Sequence, residues 1–556
     1  MKVKHIFTVL CSTAALLSTT SCNDWLTEES PGSTSLKDFF TSGMTAIQSV
    51  NACYTPLAWE YNYTYCSEWY VGDVASDDAL KGGQNTSDMA NAYDMENFKT
   101  NANNDLLLDF YRAQYQGIAR CNLALQEVPG VTPDENLTEE RKSCLLGEAY
   151  FMRALYYFRL VRIFGGVPYT NVVIDSSDDW QQTRQSADYI YDRIIEDLIQ
   201  AERLLWNKSE YPDTDLGRAT KGAAQAMLLK VYLYRHDYPN AIAWGRTFME
   251  QQYDTGEYDL FPNYYDNFTL AGENGIESVF EIQYMENEQS DYGGANGEGG
   301  FGYTRGTFTT IMTRARTGGV NAGWGLNHPT QNLYDEFEVT RDAGGNEISH
   351  DPRREYTICA PSPEAVNINA ELTYLGNSYN NNKTAYTDNP LASSDDPAKY
   401  IALDHPSRSP MNYRLIRLSD VMLMYAEALV EGGGDQSVAT TMLNTVRGRV
   451  GMPAYPNYEI RKWNGAGYVT EQVSDLREAI RHERRVELGM EGHRWFDLCR
   501  WGIVYDVMNK ENGSYGSTES EEVRAEMAMF IKGKHELFPI PAEEINLNPM
   551  EQNPGY

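Results

Sequence analysis

ATKGAAQAMLLKVYLYRHDYPNAIAWGRTF, Ala219–Phe248, reads as two helices folded back on one another. Thr220 is a good cap for the first, which continues to Tyr234 with apolar residues on most of its faces. His236-Asp237-Tyr238 supplies the turn, Pro239 sits in the first turn of the second helix, and Ala241 is small where the pair must cross. Such a hairpin buries its apolar face only against a neighbour, so more pairs are expected on either side.

They are present. Helical stretches read near Leu36–Leu57, Asp105–Val128, Ser143–Phe164, Ala187–Leu205, Thr220–Tyr234 and Pro239–Gln251, then near Ser419–Val430, Ser437–Val450, Val473–Leu488 and Gly492–Val507. Gly165-Gly166 ends the third of these, whose nearly continuous apolar surface predicts a central position. Ala219–Phe248 and DVMLMYAEALVEGGGDQSVATTMLNTVRGRVGMP, Asp420–Pro453, resemble tetratricopeptide units, close to that repeat's period, with Leu229 standing where the repeat prefers Gly or Ala. Between Tyr253 and Met411 the chain turns rich in Gly, Asn, Asp, Tyr and Pro, with short possible strands such as Ser278–Gln283. A stretch that long is not one plain loop, and it predicts an irregular second lobe.

The chain has 556 residues, and 46 Lys+Arg against 79 Asp+Glu give a net charge of −33, which excludes nucleic acid as a partner. Lys2 and Lys4, an apolar stretch from Ile6 to Leu17 and then Ser18-Thr19-Thr20-Ser21-Cys22 form a secretory signal, too short to span a bilayer. A cysteine directly after small residues resembles a bacterial lipoprotein cleavage site, which implies residues 1–21 as signal peptide and lipidation at Cys22. Loss of Lys2 and Lys4 takes the charge from −33 to −35. Cys53, Cys66, Cys121, Cys144, Cys359 and Cys499 form no C-x-x-C pair. Cys53–Cys66 is the most local disulfide candidate, whereas Cys121, Cys144 and Cys499 read as small apolar packing residues.

Four separated blocks carry a family resemblance: FMRALYYFRLVRIFGGVPY (Phe151–Tyr169), YRLIRLSDVMLMYAEALVEGG (Tyr413–Gly433), IRHERRVELGMEGHRWFDLCRWG (Ile480–Gly502) and LFPIPAEEINLNPMEQNPGY (Leu537–Tyr556). With CNDWLTEESP at Cys22 and the ATKGAA segment, they resemble, in order and across the mature chain, the SusD/RagB family of outer-membrane nutrient-binding lipoproteins of Bacteroidetes. The resemblance implies a mostly α fold, a tetratricopeptide-like scaffold of about four helix pairs with an irregular loop-rich ligand-binding lobe inserted. The units are then 22–252, with an inserted loop near 60–104, 253–411 for the lobe, and 412–556 for the last helices and tail. It also implies a non-enzymatic protein on the cell surface, lipid-anchored in the outer membrane, that binds glycans and delivers them to a SusC-like TonB-dependent transporter. A peptide-binding member of the same fold is the alternative, and a glycoside hydrolase a remote one.

The charges of Ile480–Gly502, with Arg484 and Glu487 or Arg494 and Asp497 three apart, predict an internal ion-pair network, with Trp495 and Trp501 as core anchors. GEGGFG at Gly297–Gly302 lacks the strand and helix that a dinucleotide loop needs and reads as a turn-rich loop. No H-E-x-x-H, Walker-type or G-x-S-x-G motif occurs, and no cofactor is called for. Asp73, Asp77 and Asp78 are weak candidates for a structural calcium.

The ligand reading rests on aromatics in loops, because a sugar ring lays its C–H face on Trp or Tyr while its hydroxyls seek amide, carboxyl or guanidinium groups. Trp59, Tyr61, Tyr63, Tyr65, Trp69 and Tyr70 form one cluster. Tyr292, Phe301, Tyr303 and Trp324, with Arg305 and Asn321, form a second, and Tyr374, Tyr379 and Tyr386 a third. The platform candidates are Trp59, Tyr61, Tyr63, Trp69, Tyr292, Tyr303, Arg305, Asn321, Trp324 and Tyr379. GWGLNHPTQNLYDEFE, Gly323–Glu338, looks like a framework segment of the family, which sets Trp324 between the two roles.

Overall fold

The computed structural model describes residues 39–60, 67–174, 181–286, 306–316, 322–362, 373–396 and 398–556. Its long helices are α1 (Gly43–Tyr54), α2 (Asp105–Glu127), α3 (Glu139–Phe164), α4 (Ala187–Leu204), α5 (Lys221–Tyr234), α6 (Tyr238–Phe248), α7 (Leu418–Glu431), α8 (Gln436–Arg449) and α9 (Leu476–Leu488). They pack in consecutive pairs, α1 on α2, α3 on α4, α5 on α6 and α7 on α8, with α9 closing against α7. The expected mostly helical, tetratricopeptide-like scaffold is therefore the observed one.

Local chemistry accounts for the ends. Thr220 Oγ1 accepts from the Ala223 amide at 3.0 Å to start α5, and Asp237 caps α6 ahead of Pro239. His236 takes a positive φ of 58° in the turn between them. Gly165, at φ 70°, ends α3. Crossings depend on small residues: a Cβ on Gly117 would sit 2.2 Å from the Tyr156 ring, and one on Gly245 would sit 2.3 Å from that of Tyr425. The second contact joins α6 to α7, so the scaffold continues across the long segment that separates them in sequence. Helix α3 is buried along most of its length, from Cys144 to Phe164, as its apolar surface predicts. The stretch read as one helix near Gly492–Val507 is instead two, Arg494–Arg500 and Val504–Met508, broken where Gly502 takes φ 69°.

Among the described residues, ten short strands pair two by two, all antiparallel: β1 (Ala79–Gly82) with β3 (Leu326–Pro329), β2 (Ser278–Ile282) with β8 (Tyr413–Arg417), β4 (Val339–Arg341) with β5 (Glu347–His350), β6 (Ile358–Cys359) with β7 (Asn380–Asn381), and β9 (Glu459–Trp463) with β10 (Tyr468–Gln472). The strand expected near Ser278–Gln283 is β2, and its partner β8 runs directly into α7.

A buried ion-pair wedge locks α9 to the rest. Arg417 reaches Glu277 at 3.0 Å, Glu487 at 2.5 Å and Glu491 at 2.8 Å, and Arg353 reaches Asp351, Glu483 and Glu487 at 2.6, 2.5 and 2.8 Å. Arg449 holds Glu277 and Glu487. The network exists, but its pairings are not those the spacing suggested. Arg484 binds Asp420 and Asp497 rather than Glu487, and Arg494 binds Asp77 rather than Asp497. Buried charges take partners from other elements because only these surround them completely. Trp495 is core, 1% exposed. Trp501 is half-buried, its Nε1–H given to Glu427 at 2.8 Å and its ring set against Arg481 and Arg500.

The aspartates read as calcium candidates belong to the same wedge. Asp77 accepts from Arg485 and Arg494 at 2.8 and 2.7 Å, and Asp78 from Arg485 at 2.8 Å. Asp73 accepts from the Gly492 amide at 2.8 Å and Asn327 Nδ2 at 3.1 Å. Five of their six carboxylate oxygens meet guanidinium or amide donors, Asp78 Oδ2 being the exception, and among the described residues no three acidic, His or Cys side chains converge as a cation needs, so the calcium reading of these residues is corrected. Cys53, Cys121, Cys144 and Cys359 are buried free thiols and Cys499 is half-buried, which removes Cys53 from a disulfide; Cys66 lies outside the described residues.

Candidate functional site

Glu60 organises the loop side of the molecule. Its buried carboxylate accepts from the backbone amides of Phe308 and Thr309 at 2.5 and 3.1 Å, from the hydroxyls of Thr307 and Thr309 at 2.8 and 3.1 Å, and from Tyr284 Oη at 2.7 Å. It thereby pins the chain just before residue 61 to the chain on both sides of residues 287–305. Nothing in the sequence marks Glu60 apart from its place beside the tyrosine cluster.

Phe308, held this way through its amide, carries Trp324 edge-on, with ring centroids 4.9 Å apart at 73°. The Trp324 backbone is fixed as well. Gly323, Trp324 and Gly325 donate to the carbonyls of Ala315, Ile311 and Arg314 at 2.8, 2.8 and 2.9 Å. A Cβ on Gly323 would meet the Arg314 carbonyl oxygen at 2.3 Å, so that close approach needs glycine. Buried Arg314 then ties the segment sideways, donating to the carbonyls of Ala385, Tyr386 and Ile401 at 2.7, 2.9 and 2.8 Å. The outcome is an indole 38% exposed on a rigid backbone. Trp324 is thus presented to solvent, not packed away as framework.

The other candidates divide. Trp59 is 4% exposed with Arg120 set 5.0 Å over its ring, and Trp69 is 2% exposed with its ring 3.9 Å from that of Tyr70. Both are corrected from platform to packing residue: each follows or opens a short helical turn whose far side is the core. Tyr374 is core too, its hydroxyl bonded to Glu96 at 3.1 Å under Lys81. Tyr379 is half-buried and stacked on Tyr334, beyond the other end of β3 from Trp324. Tyr61, Tyr63, Tyr292, Tyr303, Arg305, Asn321 and the GEGGFG segment lie outside the described residues, as does Cys22.

Residues 276–556 match the SusD family, and residues 21–233 match a related family described as starch-binding associating with outer membrane. The chain belongs to the SusD family. SusD-like protein P2 of Formosa agariphila is 26% identical over the full length of both chains. A solved laminarin-binding SusD-like protein is 28% identical, with a TM-score of 0.71 over 93% of this chain and 100% of its own. Surface glycan-binding protein A from Bacteroides thetaiotaomicron in complex with laminarihexaose shares the fold, with a TM-score of 0.71 at 21% identity over 92% of this chain and 100% of its own. No helix among the described residues of this SusD-family chain is long and apolar enough to cross a membrane.

Proposed function

We propose that this SusD-family protein binds neutral glycans at the cell surface, with Trp324 as the central platform, and passes them to a SusC-like TonB-dependent transporter. The carrying observation is the single exposed tryptophan among the described residues, held rigidly where the chain enters and leaves the segments bearing Tyr61, Tyr63, Tyr292 and Tyr303. A ring face offered to solvent on a fixed backbone stacks on a sugar with little ordering cost. The laminarin-binding relative makes a β-glucan the first ligand to test. Lipidation at Cys22 would keep the body on the outer membrane, and the role is capture, not turnover.

Calorimetric titration of the mature protein with laminarihexaose tests the reading. Binding that Trp324→Ala weakens about tenfold supports it. Equal binding by the variant refutes the platform, and reducing ends released on long incubation refute the non-catalytic role.

A further inference from the structure

Past the far end of β3 lies a cavity of about 380 Å³, within the size range of small-ligand sites. One of its walls is a three-layer stack. The Arg354 guanidinium sits 4.6 Å over Tyr334, and Tyr334 lies 4.8 Å from Tyr379 at an interplanar angle of 8°. Arg354 is itself held by Glu347 at 2.7 Å. Tyr334 and Tyr379 both line the cavity, so this parallel ring pair is the aromatic surface it offers.

Tyr379 is fixed in advance. Its hydroxyl donates to Gln331 Oε1 at 3.0 Å, Gln331 Nε2 donates to Asp335 at 2.8 Å, and the Tyr379 amide donates to Asn377 Oδ1 at 2.7 Å. Asn377 in turn gives Nδ2 to the Pro329 carbonyl at 2.9 Å, anchoring the platform to β3. The rim offers Gln331, Ser520 and Glu519 over an apolar floor of Leu80 and Val523. Burial pushes the Glu519 carboxyl up to about 7, so near neutrality it both donates and accepts. An anionic ligand would meet the Glu519 carboxyl, whereas a neutral sugar meets aromatic rings, an amide and hydroxyl-compatible groups.

We propose that this pocket is a second carbohydrate subsite, seating a neutral sugar ring on Tyr379 while Trp324 holds another part of the same chain. The proposal rests on the glycan-binding reading of Trp324 and adds a footprint to it. Trp324 and Pro329 are five positions apart, at most roughly 18 Å of chain, and Tyr379 joins Pro329 through Asn377, so a ligand meeting both rings has to be an oligosaccharide rather than a single sugar.

The test is calorimetry on the mature protein with laminaribiose and laminarihexaose, and with maltohexaose as a second glucan. Tyr379→Ala is expected to weaken the hexasaccharide about tenfold and leave the disaccharide unchanged, while Tyr379→Phe, which keeps the ring, stays near wild type. Ser378→Trp, which puts a bulky ring on the cavity lining while keeping Tyr379, should reproduce the loss and covers the case in which Tyr379→Ala misfolds. Unaltered hexasaccharide binding by folded Tyr379→Ala and Ser378→Trp, alongside a loss in Trp324→Ala, overturns the subsite and leaves the first reading standing. Wild-type protein that binds neither hexasaccharide overturns both.

Discussion

The α9 wedge and the Trp324 loop use the same residue types to opposite ends. Around α9, arginines and tryptophans are abundant, and every one of those described above has its charge or ring taken up inside: Arg417 by three carboxylates, Trp501 by Glu427 and two guanidiniums. At Trp324, the nearby polar groups bind one another and the backbone. Glu60 takes two amides and the Thr307, Thr309 and Tyr284 hydroxyls, Arg314 takes three carbonyls, and Trp324 remains 38% exposed. A dense, distinctive motif is therefore architecture here, and a sparse loop residue is the better site. What separates them is whether the neighbours saturate the side chain or only its backbone.

That contrast can be attacked at several strengths. Glu487→Ala leaves Arg353, Arg417 and Arg449 facing one another in the interior, and should cost about 3–5 kcal/mol, read from the urea midpoint. A loss below about 1 kcal/mol would mean the wedge is ornamental. Trp59→Ala, which empties a packed site, should cost about 3 kcal/mol while leaving glycan affinity as it was, thereby separating a buried candidate from the exposed one.

His482 sharpens the same point through pH. Burial alone would push its imidazole down, but hydrogen bonds to Glu336 and Glu338 at 2.8 and 3.2 Å outweigh that and raise its pKa to about 9. A group raised on folding stabilises fully below its unfolded value of about 6.5 and loses that contribution as pH rises through the folded value. The gap in unfolding free energy between wild type and His482→Gln should therefore be widest below pH of about 6.5, and should close as pH passes about 9. A gap constant with pH would show His482 to be uncharged in the wedge. Smallest in stability is Trp324→Ala, within about 0.5 kcal/mol of wild type as for other surface changes, although it removes the proposed platform.

How much was legible follows the same division. Helix pairs show in sequence because burial repeats with the helical period, and Gly165 and Thr220 mark ends by local chemistry alone. The wedge was foreseeable as a charge network but not in its pairings, since Arg494 and Asp77 or Arg484 and Asp420 are joined only by tertiary folding. Trp59 and Trp324 look alike in sequence, each beside irregular chain; what tells them apart is tertiary, Ala113 and Arg120 packing against the first and only the edge contact of Phe308 described for the second. Tyr334 was hidden inside Gly323–Glu338, a short segment that holds both Trp324 and the ring stack of the proposed subsite.

The most direct measurement pairs the two regions in one experiment: laminarihexaose isotherms and melting curves for wild type, Trp324→Ala and Glu487→Ala. The account predicts that Trp324→Ala melts with wild type and loses about tenfold in affinity, while Glu487→Ala melts well below it and, where still folded, binds as wild type does. Undiminished binding by Trp324→Ala would contradict it.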